Sequence, residues 1–71
     1  MAKVTTHVWD GDRIRQARKI KDLRAVDAAE KLNITPIHLS YIENGKNNPS
    51  AKLIARMAEV YGLPTSFFLK N

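Results

Sequence analysis

The residues of this 71-residue chain that could do chemistry with a partner crowd into its middle. Ile37, Ser40, Tyr41 and Asn44 recur at spacings of three and four, which sets them along one side of a helix. Ile37 offers methyl surface, Ser40 a hydroxyl, Tyr41 a ring with a hydroxyl, and Asn44 an amide that both donates and accepts. His38 stands at the margin of that side and adds charge only when protonated; it reads equally well as a plain surface residue. Lys46, Asn47 and Asn48 follow, then Ser50, a helix start with free N–H groups suited to a phosphate. Lys52 and Arg24 add positive charge, although any of these lysines can equally be a solvated surface residue. This is contact chemistry. The only histidines are His7 and His38, cysteine is absent, no carboxylates have metal-ligand spacing, and there is no Gly-rich phosphate loop. The expectation is no enzyme, no metal and no cofactor.

These residues need a frame. Thr35 is a natural N-cap, Pro36 suits the first helical position, and Asn44-Gly45 supplies a stop. About two turns lie between, too few to stand alone, so the segment must be held from beneath by Leu39 and Ile42, with Ile34 just before them. A helix from Ala25 to Leu32 precedes it, with Ala28, Ala29 and Leu32 facing inward. Asn33 ends that helix, because it tolerates the left-handed state. Two short helices across so tight a turn form a helix-turn-helix unit.

Upstream, Asp10 or Asp12 caps a helix running to about Asp22, with Ile14, Ala17 and Lys21 along one side and Ile20 off it. Arg18 falls beside the inner face, where a charge would need a partner. Residues 1–9 read as a short extended arm. Trp9 reads as a lid on the core, with a DNA-touching arm as the rival. Downstream, Ser50 caps a helix to about Tyr61, with Ala51, Ile54, Met57, Ala58 and Tyr61 inward. Gly62 ends it, and Ser66 to Leu69 makes a last turn. Phe67 and Phe68 cannot both point inward from that turn.

The net charge is +5. That suits a polyanion or simple solubility, and the distribution favours the former: Arg13, Arg15, Arg18, Lys19, Lys21 and Arg24 face only Asp22 between residues 13 and 24. Apart from Arg18, the cations of the first helix read as solvated. A chain this size buries only about 60% of its unfolded surface. No apolar run approaches the roughly 20 residues of a membrane span, and the start is no signal peptide; the expected place is the cytoplasm.

Arg18, the run Ala28 to Thr35, the run Leu39 to Lys46, and Asn48-Pro49-Ser50 together resemble the phage repressor helix-turn-helix family, the XRE or Cro/C1 type. The resemblance spans residues 13 to 69. It implies an all-α, compact five-helix, lambda-repressor-like domain over residues 10–71. It implies a dimer on a two-fold DNA operator, with half-sites roughly 34 Å apart and the third helix (36–44) in the major groove. By position, Pro36, Ile37, His38, Ser40 and Tyr41 would face bases, and Arg24, Asn44, Lys46, Asn47, Asn48, Ser50 and Lys52 phosphates. Arg18 and Glu43 match the family's ion pair, whose role would be structural. Phe68 matches a core position, which leaves Phe67, with Leu69, as an exposed dimer contact or as part of a slightly larger core.

Two departures stand out. Arg24 and Ala25 occupy the places where the family carries Ser or Thr followed by a DNA-touching Gln, so Arg24 would reach a phosphate instead. Pro36, Ile37 and Tyr41 replace polar base readers. Ile37 could pack on a thymine methyl, and Tyr41 could bond a phosphate or stack on thymine or sugar. The rival is a protein partner covering the Ile37/Tyr41 face or the Phe67/Phe68 tail. The expected function is a DNA-binding transcription regulator, more readily a repressor. The alternative is an antitoxin-like or anti-regulator protein-binding module on the same fold.

Overall fold

The computed structural model describes residues Val8 to Lys70. Its elements are α1 (Gly11–Ile20), α2 (Ala25–Leu32), α3 (Pro36–Glu43), α4 (Ala51–Tyr61) and a terminal 3₁₀ helix (Thr65–Phe68). The fold is all-α. The fifth helical element is a single 3₁₀ turn rather than an α-helix. The part of the expected arm at residues 1–7 lies outside the described residues.

Three α-helices start on side-chain caps. Asp10 accepts from the Asp12 N–H at 2.9 Å, Thr35 from His38 at 3.0 Å and Ser50 from Leu53 at 3.1 Å. Arg24 gives α2 no such cap. All four helices close on a left-handed residue: Asp22 (φ 61°), Asn33 (φ 61°), Gly45 (φ 77°) and Gly62 (φ 70°). Around Asp22 the Leu23 N–H donates to the Arg18 carbonyl at 3.1 Å and the Asp22 N–H to that of Lys19 at 2.9 Å. These are the paired bonds of a Schellman ending. That ending stops α1 at Ile20, two residues short of expectation, and leaves Lys21 exposed rather than on the inner stripe.

The core gathers Ile14 and Ala17 from α1, Ala28, Ala29 and Leu32 from α2, Leu39 and Ile42 from α3, Ile54, Met57 and Tyr61 from α4, and Phe68. Ala51 is exposed, contrary to the expected stripe, because the first turn of α4 overhangs this core. Pro49, expected in a polar loop, is buried and anchors the connection between α3 and α4.

The two ends of the described chain meet. Trp9 and Leu69 form an antiparallel bridge, flanked by Asp10 N–H to Phe68 C=O at 2.7 Å and Lys70 N–H to Val8 C=O at 3.0 Å. Trp9 packs against the core as a half-buried lid. Phe67 is half-buried, not exposed. Its ring sits edge-on to Phe68 at 5.8 Å, and the Arg13 guanidinium lies 5.3 Å from its centre. Arg13 also donates to the Phe67 carbonyl at 3.3 Å, so that cation is not simply solvated.

Candidate nucleic-acid interface

α3 is built to be held from one side and free on the other. Leu39, Ile42 and Glu43 are buried beneath it. Pro36, Ile37, Ser40, Tyr41 and Asn44 are exposed, Ile37 at 66% and Tyr41 at 47%, while His38 is half-buried at the margin. The exposed side is the one the helical repeat predicts, and the helix ends at Glu43 with Asn44 as its C-cap.

The buried end of α3 is an ion-pair centre. Glu43 is only 5% exposed. Arg18 grips it as a fork, Nε to Oε2 at 2.7 Å and Nη2 to Oε1 at 3.0 Å, and its Nη1 donates to the Leu23 carbonyl at 3.0 Å. Arg18 thereby joins the α1 turn to the end of α3. The hydrogen bonds that Arg18 donates to the Glu43 carboxylate raise the arginine pKa, against the opposing effect of burial. The Tyr61 hydroxyl is buried with no hydrogen-bond partner among the described residues. Burial first, then the nearby Glu43 charge, push its pKa up to about 12, with Arg18 opposing.

Two further features were not anticipated. Arg15, expected to be solvated, reaches Glu43 (Nε to Oε1, 3.5 Å) and donates to Asn44 Oδ1 at 2.7 Å. Asn44 in turn donates to the Ser40 carbonyl at 2.9 Å and Ser40 Oγ at 3.3 Å. Its amide is thus engaged within the protein rather than free for a phosphate. Gly11 is the second feature. A Cβ there would lie 2.6 Å from the Glu43 carbonyl oxygen and 2.7 Å from that of Ile42. Only glycine lets the start of α1 abut the end of α3. The signal in the sequence was a glycine directly after the Asp10 cap, where a larger helix former costs nothing locally.

Around α3 lie the cationic and polar candidates. Lys46, Asn47 and Asn48 are exposed, and the Lys46 N–H closes onto the Tyr41 carbonyl at 2.8 Å. Ser50 and Lys52 are exposed at the start of α4. With His38 and Arg56, they line a cleft of about 280 Å³ floored by Leu32, Ile34 and Leu53. Arg56 was missed, although it lies one turn after Lys52. Arg24 differs from expectation: its guanidinium is folded onto Asp27 at 2.8 Å, and this bond holds the Asp27 carboxyl below its usual range. Reaching a phosphate would require that exposed pair to open.

Among the described residues no group of His, Cys, Asp or Glu is placed to hold a metal ion, and no helix is long and apolar enough to cross a membrane.

The sequence profile of the helix-turn-helix family matches residues 14–68. The chain belongs to that family, in its XRE or Cro/C1 branch. Among relatives of this helix-turn-helix protein, the HTH-type transcriptional regulator DdrOP3 of Deinococcus deserti is 35% identical over 60 residues, which cover 84% of this chain and 46% of that protein. The chain therefore spans about half the length of that relative. The clp gene regulator ClgR from Corynebacterium glutamicum is 27% identical with a TM-score of 0.76, over 79% of this chain and 60% of its own. The biofilm master regulator SinR, solved in complex with DNA, is 31% identical with a TM-score of 0.74, over 80% of this chain and 95% of its own.

Proposed function

We propose that this helix-turn-helix chain is a sequence-selective double-stranded DNA-binding transcription regulator. In this reading it acts in the cytoplasm as a repressor, and as a homodimer on a two-fold operator with α3 in the major groove. The observation that carries the reading is the exposed Ile37–Ser40–Tyr41 face on a helix whose rear is pinned by Glu43 and Arg18. A rigid reading helix loses little freedom on binding. The +5 charge supports it, as do the regulator relatives and the DNA complex of SinR. Repression needs only occupancy of a promoter.

Ile37 and Tyr41 read by methyl and ring contact, Pro36 and His38 flank them, and Ser40 supplies the polar base contact. Lys46, Asn47, Asn48, Ser50 and Lys52 seat phosphates. Arg24 joins them on release from Asp27, and Asn44 contributes chiefly through its neighbours. Leu69, 41% exposed beside the Trp9 bridge, and the open edge of Phe67 form the dimer contact. No catalysis belongs to this reading. A second reading rests on the exposed apolar surface of Ile37: a protein partner covers the same face.

Gel shift on the flanking promoter, from low to moderate salt, tests the proposal. Specific retardation that survives moderate salt and weakens several-fold or more in Tyr41→Ala supports it. Binding without sequence preference at any salt, alongside capture of a protein by the Ile37 face, favours the second reading.

A further inference from the structure

Arg15 lies on α1, away from the proposed reading face, yet its guanidinium meets Asn44 Oδ1 at 2.7 Å. An arginine carries no acceptor, so only the amide oxygen of Asn44 can face it. With that oxygen engaged, the Asn44 N–H group turns to Ser40, 2.9 Å from its carbonyl and 3.3 Å from its Oγ. A serine hydroxyl has one proton and two lone pairs. Asn44 takes up one lone pair, and among the described hydrogen bonds none has Ser40 Oγ as donor. Ser40 is exposed, and its proton is free to point outward.

Resting on the DNA-binding reading above, we propose that Arg15 is a positioning residue that fixes the Asn44 amide and so makes Ser40 a hydrogen-bond donor toward an acceptor edge in the major groove. The acceptors available there are guanine O6 and N7, adenine N7 and thymine O4, whereas cytosine presents its N4 amino donor. Ser40 then selects against cytosine at the base it meets. Release of Arg15 lets the amide rotate by half a turn and offer Oδ1 to Ser40. The hydroxyl then donates inward, shows DNA a lone pair, and the preference relaxes. Glu43 holds Arg15 in place at 3.5 Å, so the carboxylate that pins α3 also sets the polarity of its outer face.

The test compares wild type, Arg15→Ala, Arg15→Lys and Ser40→Ala. A randomised duplex pool yields the preferred site, and equilibrium binding to single-base variants of it yields the preferences. One base-edge hydrogen bond gives discrimination of up to about tenfold. The expectation is that preference at one base pair falls below about threefold in both Arg15→Ala and Ser40→Ala, at the same pair. Arg15→Lys, which can still donate to Asn44 Oδ1, restores part of it. Ser40→Ala touches no core residue, and the Arg18 fork remains in every variant, so folding is retained and checked by circular dichroism. If Arg15→Ala weakens all duplexes by one common factor and keeps every preference, Arg15 is only a charge and the inference is overturned. Unchanged preferences in Ser40→Ala overturn it equally. A wild-type chain that selects no site overturns the DNA reading itself, a distinct outcome.

Discussion

Glu43→Gln isolates the centre that holds α3. The substitution keeps the side-chain shape and removes the charge. In the folded chain Glu43 accepts from Arg18 at 2.7 and 3.0 Å and from Arg15 at 3.5 Å, with only 4% of its side chain exposed. A glutamine offers one acceptor oxygen and sets an amino group against a donor of the Arg18 fork. The Arg18 side chain is only 13% exposed, so its charge is left largely dehydrated beside a neutral partner. Removing one partner of such a buried pair costs about 3–5 kcal/mol. A 71-residue domain holds only about 4–10 kcal/mol, so the loss is a large fraction of the total. At roughly 4–8 °C per kcal/mol for this size, the melting temperature falls by at least about 12 °C. Urea unfolding of wild type, Glu43→Gln, Arg18→Met and the double variant measures it. The double variant is expected to be less destabilised than the sum of the singles, because neither charge is then stranded. A single-variant loss under about 0.5 kcal/mol, or simple additivity, would refute the reasoning.

Tyr61→Phe removes a buried hydroxyl with no hydrogen-bond partner among the described residues, so stability near neutral pH stays level or rises by up to about 1 kcal/mol. The tyrosine pKa is raised to about 12 in the fold, so its contribution is fully present below its ordinary value near 10 and is lost as pH climbs toward 12. Wild type should therefore lose stability against Tyr61→Phe across that window, measured by urea midpoints at stepped pH. Gly11→Ala forces a methyl into the Ile42 and Glu43 carbonyls; a loss of about 1–3 kcal/mol, together with weaker DNA binding from a displaced α3, is expected from melting and gel shift.

What was legible in the sequence was local. Thr35, Pro36 and Gly45 state the ends of α3 through cap chemistry that acts within four residues, and its two faces follow from the helical repeat. The core stripes failed at helix ends, Lys21 after α1 and Ala51 at the start of α4. The less legible features depend on contacts distant in the chain. Arg15 meets Asn44 across 29 positions and Arg13 meets Phe67 across 54, and neither helical spacing nor composition brings such pairs together. For the same reason Phe67 was expected outside, where Arg13 instead covers part of it. Asp22 took the left-handed state because the Arg18 and Lys19 carbonyls close the turn around it, a role more often read from glycine. Arg18 was flagged by its inner placement, but its partner came from family likeness rather than from spacing.

In the proposed function the outer face of α3 reads DNA. Its most direct test is equilibrium binding to the flanking promoter duplex and to a scrambled duplex of equal length, each titrated from about 50 to 200 mM salt. The account predicts a promoter preference that persists at the upper salt and is lost in an Ile37→Ala, Tyr41→Ala double variant of unchanged melting temperature. It also predicts a log–log salt slope that shallows by about 0.9 for each phosphate-seating lysine removed. Equal affinity for the two duplexes at every salt, or a double variant with the full wild-type preference, would contradict it.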